Sequence, residues 1–274
     1  MGLRINTNMA SLIGTRNVSR TDRALNKSLE RLSSGLRINR AADDPAGLAI
    51  AERQRAQIAG LNKALENVER GVSLVQTAEG ALDEVNSLLV HMRELAVDSA
   101  NSAVHDADSL AANQAEITDA IATLNRISTN TTFGTKALLD GTATGLIFQV
   151  GGDASQTATL DLPAVDATTL ALNAIDVTTD VGAQAAITAI DAAIGTIVTA
   201  RNSIGSFQAN TLESQMNYLQ LAAENMTAAR SVVMDTDFAA EVTAFTKQQI
   251  LMQAGMQVLS TAGQLPQMVL NLLR

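Results

Sequence analysis

Cysteine is absent from the 274 residues, and so is tryptophan. The first absence excludes disulfide frameworks, thiolate zinc sites and cysteine nucleophiles together. Aromatic residues make up only 2%, with Tyr218 the single tyrosine. Compact cores and specific interfaces commonly rely on aromatic bulk. Here the apolar mass, 46% of the chain, comes from Ala, Leu, Val, Ile and Met, residues that suit long helices packed side by side. The two histidines, His91 and His105, have no thiol to join them, and a metal site needs several convergent ligands. No uncharged apolar stretch approaches the roughly 18 residues of a membrane-spanning helix. The start, Met1–Asn8, has no apolar run of the signal-peptide type. No membrane association is expected, and any export is expected to use a route without a cleaved signal. No GxxxxGK loop and no GxGxxG after a strand appear, and no serine has the strand-turn-helix context of a nucleophile elbow. Asp43-Asp44 precedes Pro45, so helix capping accounts for that carboxylate pair better than a catalytic dyad does. Asp83-Glu84 reads as a solvated helix face. The expectation is a protein that is not an enzyme, without catalytic, cofactor or metal residues.

Charge is unevenly placed. The net charge is −9, yet up to Arg40 eight Lys/Arg face only Asp22 and Glu30. From Gly141 to Ala200 there is no Lys or Arg at all, against six Asp. A basic arm on an acidic protein can be a nucleic-acid tail. These cations sit among apolar residues at helical spacing, which favours a basic face meeting acidic surface on neighbouring subunits and no nucleic acid.

The apolar spacing predicts a first helix over about Met9–Leu32, with Leu25, Leu29, Leu32 and Leu36 stepping by four, three and four. Ser33-Ser34-Gly35 ends it, Gly35 being suited to the left-handed turn after a helix. Leu36–Arg40 reads as extended, and Asp43-Asp44-Pro45 opens a second helix to about Ala100. Ile58, Leu61, Leu65, Val68, Val72 and Val75 form a heptad seam. Two consecutive steps of three, Val72 to Val75 to Ala78, shift its phase before Leu82, Val85, Leu89 and Met92, which implies a local overwinding. Gly60, Gly71 and Gly80 either permit close approach or are merely tolerated, at about 1 kcal/mol each relative to Ala. A third helix covers about Asp106–Ile127, with Ile117, Ile121, Leu124 and Ile127 or Ser128 buried. Leu146–Val150 and Thr157–Leu162 read as a hairpin around the turn Gly151-Gly152-Asp153. Helix resumes over Ala183–Val233, striped by Ile187, Ile190, Ile194, Ile197, Leu212, Met216, Leu219, Met226 and Val233. Asp235-Thr236-Asp237 breaks it and caps a last helix, where Val242, Phe245, Met252, Met256 and Leu259 line one side. The fold class expected is mainly α: a long antiparallel helical rod or coiled coil from both chain halves, with a small β-hairpin region at the middle of the sequence.

That order brings both chain ends to one end of such a rod. Short striped helices are marginal alone in water, and two that pair only with each other leave apolar surface that marks an interaction site. Leu25, Leu29, Leu32, Val242, Phe245, Met252, Met256, Leu259, Val269 and Leu270 are therefore expected to carry self-assembly. Head-to-tail contacts that do not close give an open helical filament. The nine methionines fit either helix packing or an adaptable binding surface.

At several places the residues match a known pattern. Ile5-Asn6-Thr7-Asn8, Leu29–Asn39 (LERLSSGLRIN) and Ala41–Gly47 (AADDPAG) stand near one end. Gln249–Gly255 (QILMQAG) and Pro266-Gln267 with Val269-Leu270 stand near the other, and Met92–Ala96 (MRELA) lies between. In these stretches, and over nearly its whole length, the chain resembles bacterial flagellin, the subunit of the flagellar filament. The resemblance implies an extracellular polymer for swimming, with residues 1–42 and 235–274 as inner-tube terminal helices. It implies residues 43–140 and 183–234 as a helical rod and 141–182 as a small outer hairpin region. It further implies unfolded export through the flagellum's own type III apparatus, an export chaperone, and cap and hook-junction proteins as partners. Low aromatic content and the absence of cysteine are compatible with passage through a narrow channel.

The family's innate-receptor surface, read by the flagellin-sensing Toll-like receptor, maps to Arg93, Leu95 and Glu116. His91 departs there from the usual Arg. The chain also lacks the large outer domains that many members carry between the halves. Other readings are a hook-filament junction protein, an enzyme or sugar-binding surface protein, and a coiled-coil adaptor forming a closed oligomer. Copy number separates the first, the absent catalytic constellation opposes the second, and the apolar final residues oppose the third.

Overall fold

The computed structural model describes residues 8–101 and 103–272, with side chains up to Gln264. The elements are α1 (Met9–Ser34), α2 (Pro45–Ser99), α3 (Ala107–Asn130), β1 (Thr132–Phe133), β2 (Lys136–Ala137), β3 (Leu146–Gln149) and β4 (Thr157–Leu160). They continue with α4 (Asp180–Ser206), a π-helical segment (Phe207–Glu213), α5 (Ser214–Met234) and α6 (Phe238–Leu272). The chain is mainly α, as the periodicity predicts. It divides into two compact units, residues 57–224 and residues 1–56 with 225–274.

Local chemistry explains the boundaries. Asn8, Asp44, Asp106, Thr179 and Asp237 each accept a hydrogen bond from a backbone N–H in the first turn of the helix that follows, answering donors that a helix start leaves unpaired. Pro45 occupies the first position of α2, where its missing N–H costs nothing. Gly35 ends α1 in the left-handed conformation, φ +72°, and its N–H donates to the Arg31 carbonyl.

In the 57–224 unit, α2 runs antiparallel to α3 and to α4. His91 meets Glu116 of α3, and Asp98 meets Asn113. Arg93 meets Asp191 of α4, and Arg201 meets Asp83. Within this unit the buried positions of α2 are Ala64, Val68, Gly71, Val75, Ala78, Leu82, Val85, Leu89, Met92, Ala96 and Ser99. They alternate steps of four and three without a break. The expected phase shift at Val72 is therefore not there: Gly71 holds the seam position and Val72 lies half-buried beside it. A hydropathy pattern cannot register a residue with no side chain. Phe148 of β3 lies over the vacancy, 3.0 Å from where a Cβ on Gly71 would sit.

The strands pair antiparallel, Leu146 opposite Leu160 and Gln149 opposite Thr157. The hairpin's Gly152 approaches the backbone of Gly60; a Cβ on Gly60 would meet the Gly152 oxygen at 3.2 Å. Gly80 has nothing within 4 Å and is merely tolerated. The segment from 161 to 179 has little regular structure, yet Leu162, Val165, Leu170, Leu172 and Val177 are buried in the same core as Leu138 and Leu139. Gln114 holds it from α3, donating to the Ile175 carbonyl and accepting from the Val177 N–H. No further domain lies between the two halves.

The expected helix over Ala183–Val233 begins three residues earlier and contains the π segment. Its buried positions, Ala183, Ala186, Ile190, Ala193, Ile197 and Ile204, follow three-four steps or their multiples. From Ile204 to Leu212 the step is eight, and from Leu212 to Leu219 it is seven again. One extra residue has been absorbed, which is what a π turn does. It places Leu212 and Phe207 beside Phe148, with the two rings 5.5 Å apart. Ile187 and Ile194, expected in the stripe, are half-buried at its margin. A window of the run from Asp180 to Met234 is as apolar as a membrane-crossing helix by length and composition; this alanine-rich run buries its stripe in the unit's own core.

Candidate assembly surface

The second unit pairs the two ends of the chain. Asn8 donates to the Ala262 carbonyl, Gly14 meets Leu259, Val18 meets Gly255, and Arg31 bonds Glu241 at 3.4 Å. Thus α1 and α6 are antiparallel. Beyond α1 the chain continues the pairing through a bridge between Leu36 and Asp235. The Arg37 N–H donates to the Met234 carbonyl, and the Thr236 N–H to the Gly35 carbonyl. Ile38, Ala51 and Met234 form a small core beneath. Lys27 reaches Asp43 at 2.7 Å. That bond, with backbone donors from Arg40 and Asn39, holds the Asp43 carboxyl down at about 2.

The seam between α1 and α6 is lined mostly by small residues on α1 and by larger ones on α6. On α1 it passes through Ser11, Gly14, Val18, Thr21, Leu25, Ser28 and Leu32; on α6 it passes through Phe245, Gln248, Met252, Gly255, Leu259 and Ala262. Gly255 and Gly14 permit the close approach, since a Cβ on either would lie 3.0–3.2 Å from the facing side chain. Large apolar residues also stand on the outer faces: Met9, Leu12 and Ile13 on α1, and Ile250, Leu251 and Val258 on α6. Leu12 is 64% exposed.

The expected assembly residues separate accordingly. Leu25, Leu32, Phe245, Met252 and Leu259 are half-buried in the seam. Leu29 is not in it; Ser28 takes that position, and Leu29 is 53% exposed. Val242 and Met256 do not share the inner line of α6 either, because its apolar face is wider than α1 covers and they stand on the open edge. Val269 and Leu270 lie in the last turns of α6, and their side chains, like Ile5, Asn6 and Thr7, fall outside the described residues. The outward Leu12, Ile13, Ile250, Leu251 and Val258 are missed by reading one stripe per helix. Plotting the opposite side of the same helices would find them.

The three receptor-type residues do not sit together. Arg93 turns toward α4, with Nε 2.6 Å from Asp191, a contact that raises the guanidinium pKa. Glu116 of α3 holds His91 at 2.9 Å, which raises the imidazole pKa. Leu95, one turn from His91, is half-buried against the core. Among the described residues no three His, Asp or Glu side chains converge to hold a metal ion.

Comparison with known proteins joins the two halves of the chain. The bacterial flagellin N-terminal helical region matches residues 5–144, and the bacterial flagellin C-terminal helical region matches residues 187–273. A flagellin of Halalkalibacterium halodurans is 45% identical over 272 residues, which cover 98% of this chain and 99% of that one. A flagellin of Bacillus subtilis is 40% identical over 305 aligned positions, covering 99% of this chain and all of that one. The crystal structure of Bacillus cereus flagellin superposes with a TM-score of 0.50 at 29% identity, covering 60% of this chain and 94% of that one.

Proposed function

The chain belongs to the bacterial flagellin family, as a short structural filament subunit and not an enzyme, and we propose that the outer faces of α1 and α6 are where it polymerises. The observation that supports this is the set of large apolar residues left exposed on the outer faces, Leu12 and Ile13 on α1 and Ile250, Leu251 and Val258 on α6. Leu25, Leu32, Phe245, Met252 and Leu259 hold the pair together. Leu29, Val242 and Met256, with Leu12, Ile250 and Leu251, are covered by other copies, and Val269 and Leu270 take part in assembly as the family resemblance implies. Burying each such side chain contributes about 1.5–3 kcal/mol, enough in sum to drive packing of the ends on assembly. Residues 1–42 and 235–274 then form the inner tube, 43–140 and 183–234 the next shell, and 141–182 the outer surface of a thin, smooth, secreted filament.

Other partners follow the same surfaces. The open edge of α6 around Val242, Thr246, Ile250 and Leu251 suits a transient export chaperone, and the same ends suit cap and hook-junction proteins. His91, Leu95 and Glu116, on one flank of α2, are the surface offered to the flagellin-sensing Toll-like receptor, and Arg93, turned toward Asp191, is not part of it. Electron microscopy tests the central reading, with the full chain beside one lacking residues up to Arg40 and after Thr236. Long filaments from the first and none from the second are expected. Compact particles from both, at high concentration and with seeds, would indicate a closed oligomer instead.

A further inference from the structure

The two units carry opposite charge. Residues 1–56 with 225–274 hold thirteen Lys/Arg and eight Asp/Glu, net +5; residues 57–224 hold six and twenty, net −14. On α1, Arg16, Arg20 and Arg23 step by four and three along the side away from the seam, in line with Met9 and Leu12. All three are exposed and have no ion pair among the described residues. Half of their own unit's carboxylates already hold cations. Asp43 holds Lys27, Glu30 holds Arg40, Glu52 holds Arg55 and Glu241 holds Arg31. Asp44 and Asp237 cap helices, Asp22 accepts from Asn26, and Asp235 accepts from Ser231.

Given the reading that this face is covered on polymerisation, three unpaired cations would be covered with it, which is costly unless each meets an anion. The corresponding unit of another copy offers few uncommitted carboxylates and carries net +5, against −14 on residues 57–224. We infer that Arg16, Arg20 and Arg23 dock on carboxylates of the 57–224 unit of a second copy, so that the contact is heterologous and its register electrostatic. On that unit exposed Glu213 and Glu224 stand at the two ends of a polar row that includes Asn217 and Gln220, one such face with carboxylates to offer.

The test uses the full chain with Arg16→Gln, Arg20→Gln and Arg23→Gln together, helical content being checked by circular dichroism. Critical concentration for elongation from seeds is measured in NaCl at about 0.1 M and about 1 M, where the Debye length is about 10 Å and about 3 Å. The variant is expected to need about tenfold more protein at low salt, with the gap closing at high salt. No gap, a gap that ignores salt, or better assembly of the variant would overturn the inference while leaving polymerisation intact. An unmodified chain that never elongates would remove both. In a second arm, Arg20→Lys filaments built from labelled and unlabelled copies are joined by carbodiimide. A bond between copies to a carboxylate within 57–224 supports the docking, and one to Asp22 or Glu30 refutes it.

Discussion

Three glycines of α2 show how one residue type serves different ends. Gly71 leaves the space that Phe148 occupies, and Gly60 lets a hairpin turn reach a helix backbone; Gly80 faces open space. Gly71→Ala should therefore overpack the seam and cost about 1–3 kcal/mol, seen as a lower urea midpoint of the soluble chain. Gly80→Ala should raise it, gaining about 1 kcal/mol of helix propensity. Asp43 gives a pH signature. Its folded pKa is depressed, so the stabilisation is complete above the unfolded value of about 3.9 and is lost as pH falls through about 2. Asp43→Asn should flatten the acid limb of stability against pH in that window and leave the slope near neutrality unchanged.

At the scale of elements, the π segment makes the most specific demand. Because it absorbs one residue, deleting exposed Ala209 should let α4 and α5 join as plain α-helix with Leu212 and Leu219 still in the core. Thermal unfolding should then change by only a few degrees. Deleting exposed Thr196, in α4 and outside the segment, turns the core positions Ile197 and Ile204 by about 100° and should lower the midpoint far more. This asymmetry also marks what a sequence conceals. Helix ends were legible because Asp44, Asp237 and Gly35 are chemically suited to them. Phe245, Met252 and Leu259 were legible as an inner line because they are large and periodic. Ser28, Gly14 and Gly71 were not, since a seam position filled by a small residue has no hydropathy and its apolar neighbour is read in its place. The π insertion was hidden for another reason: it is a mismatch between two stretches, visible only when the partner surface that both must meet is known. The outward Ile250 and Leu251 were passed over because a helix is ordinarily read as having one apolar side.

For the whole molecule, stability and assembly should separate. Replacing Ile250 and Leu251 together by Ser should leave the unfolding midpoint of the soluble chain within error, because both are largely exposed, while raising the critical concentration for filament growth at least about tenfold. Phe245→Ala, in the seam, should lower the midpoint and weaken growth together. If the double serine variant polymerises like the parent, the outer face of α6 is not the contact.

The terminal unit is made from two stretches of one chain separated by 168 residues, and Asn8 finds its partner in Ala262. Neither stretch can complete the pair by itself. A chain cut short at either end keeps one helix of the two, with its seam bare and no facing helix to order it. The intervening unit closes its own core and needs neither. The paired surface thus reports that both ends of the same molecule are present, so truncated chains are excluded from growth by their own incompleteness, before any other component has to recognise them.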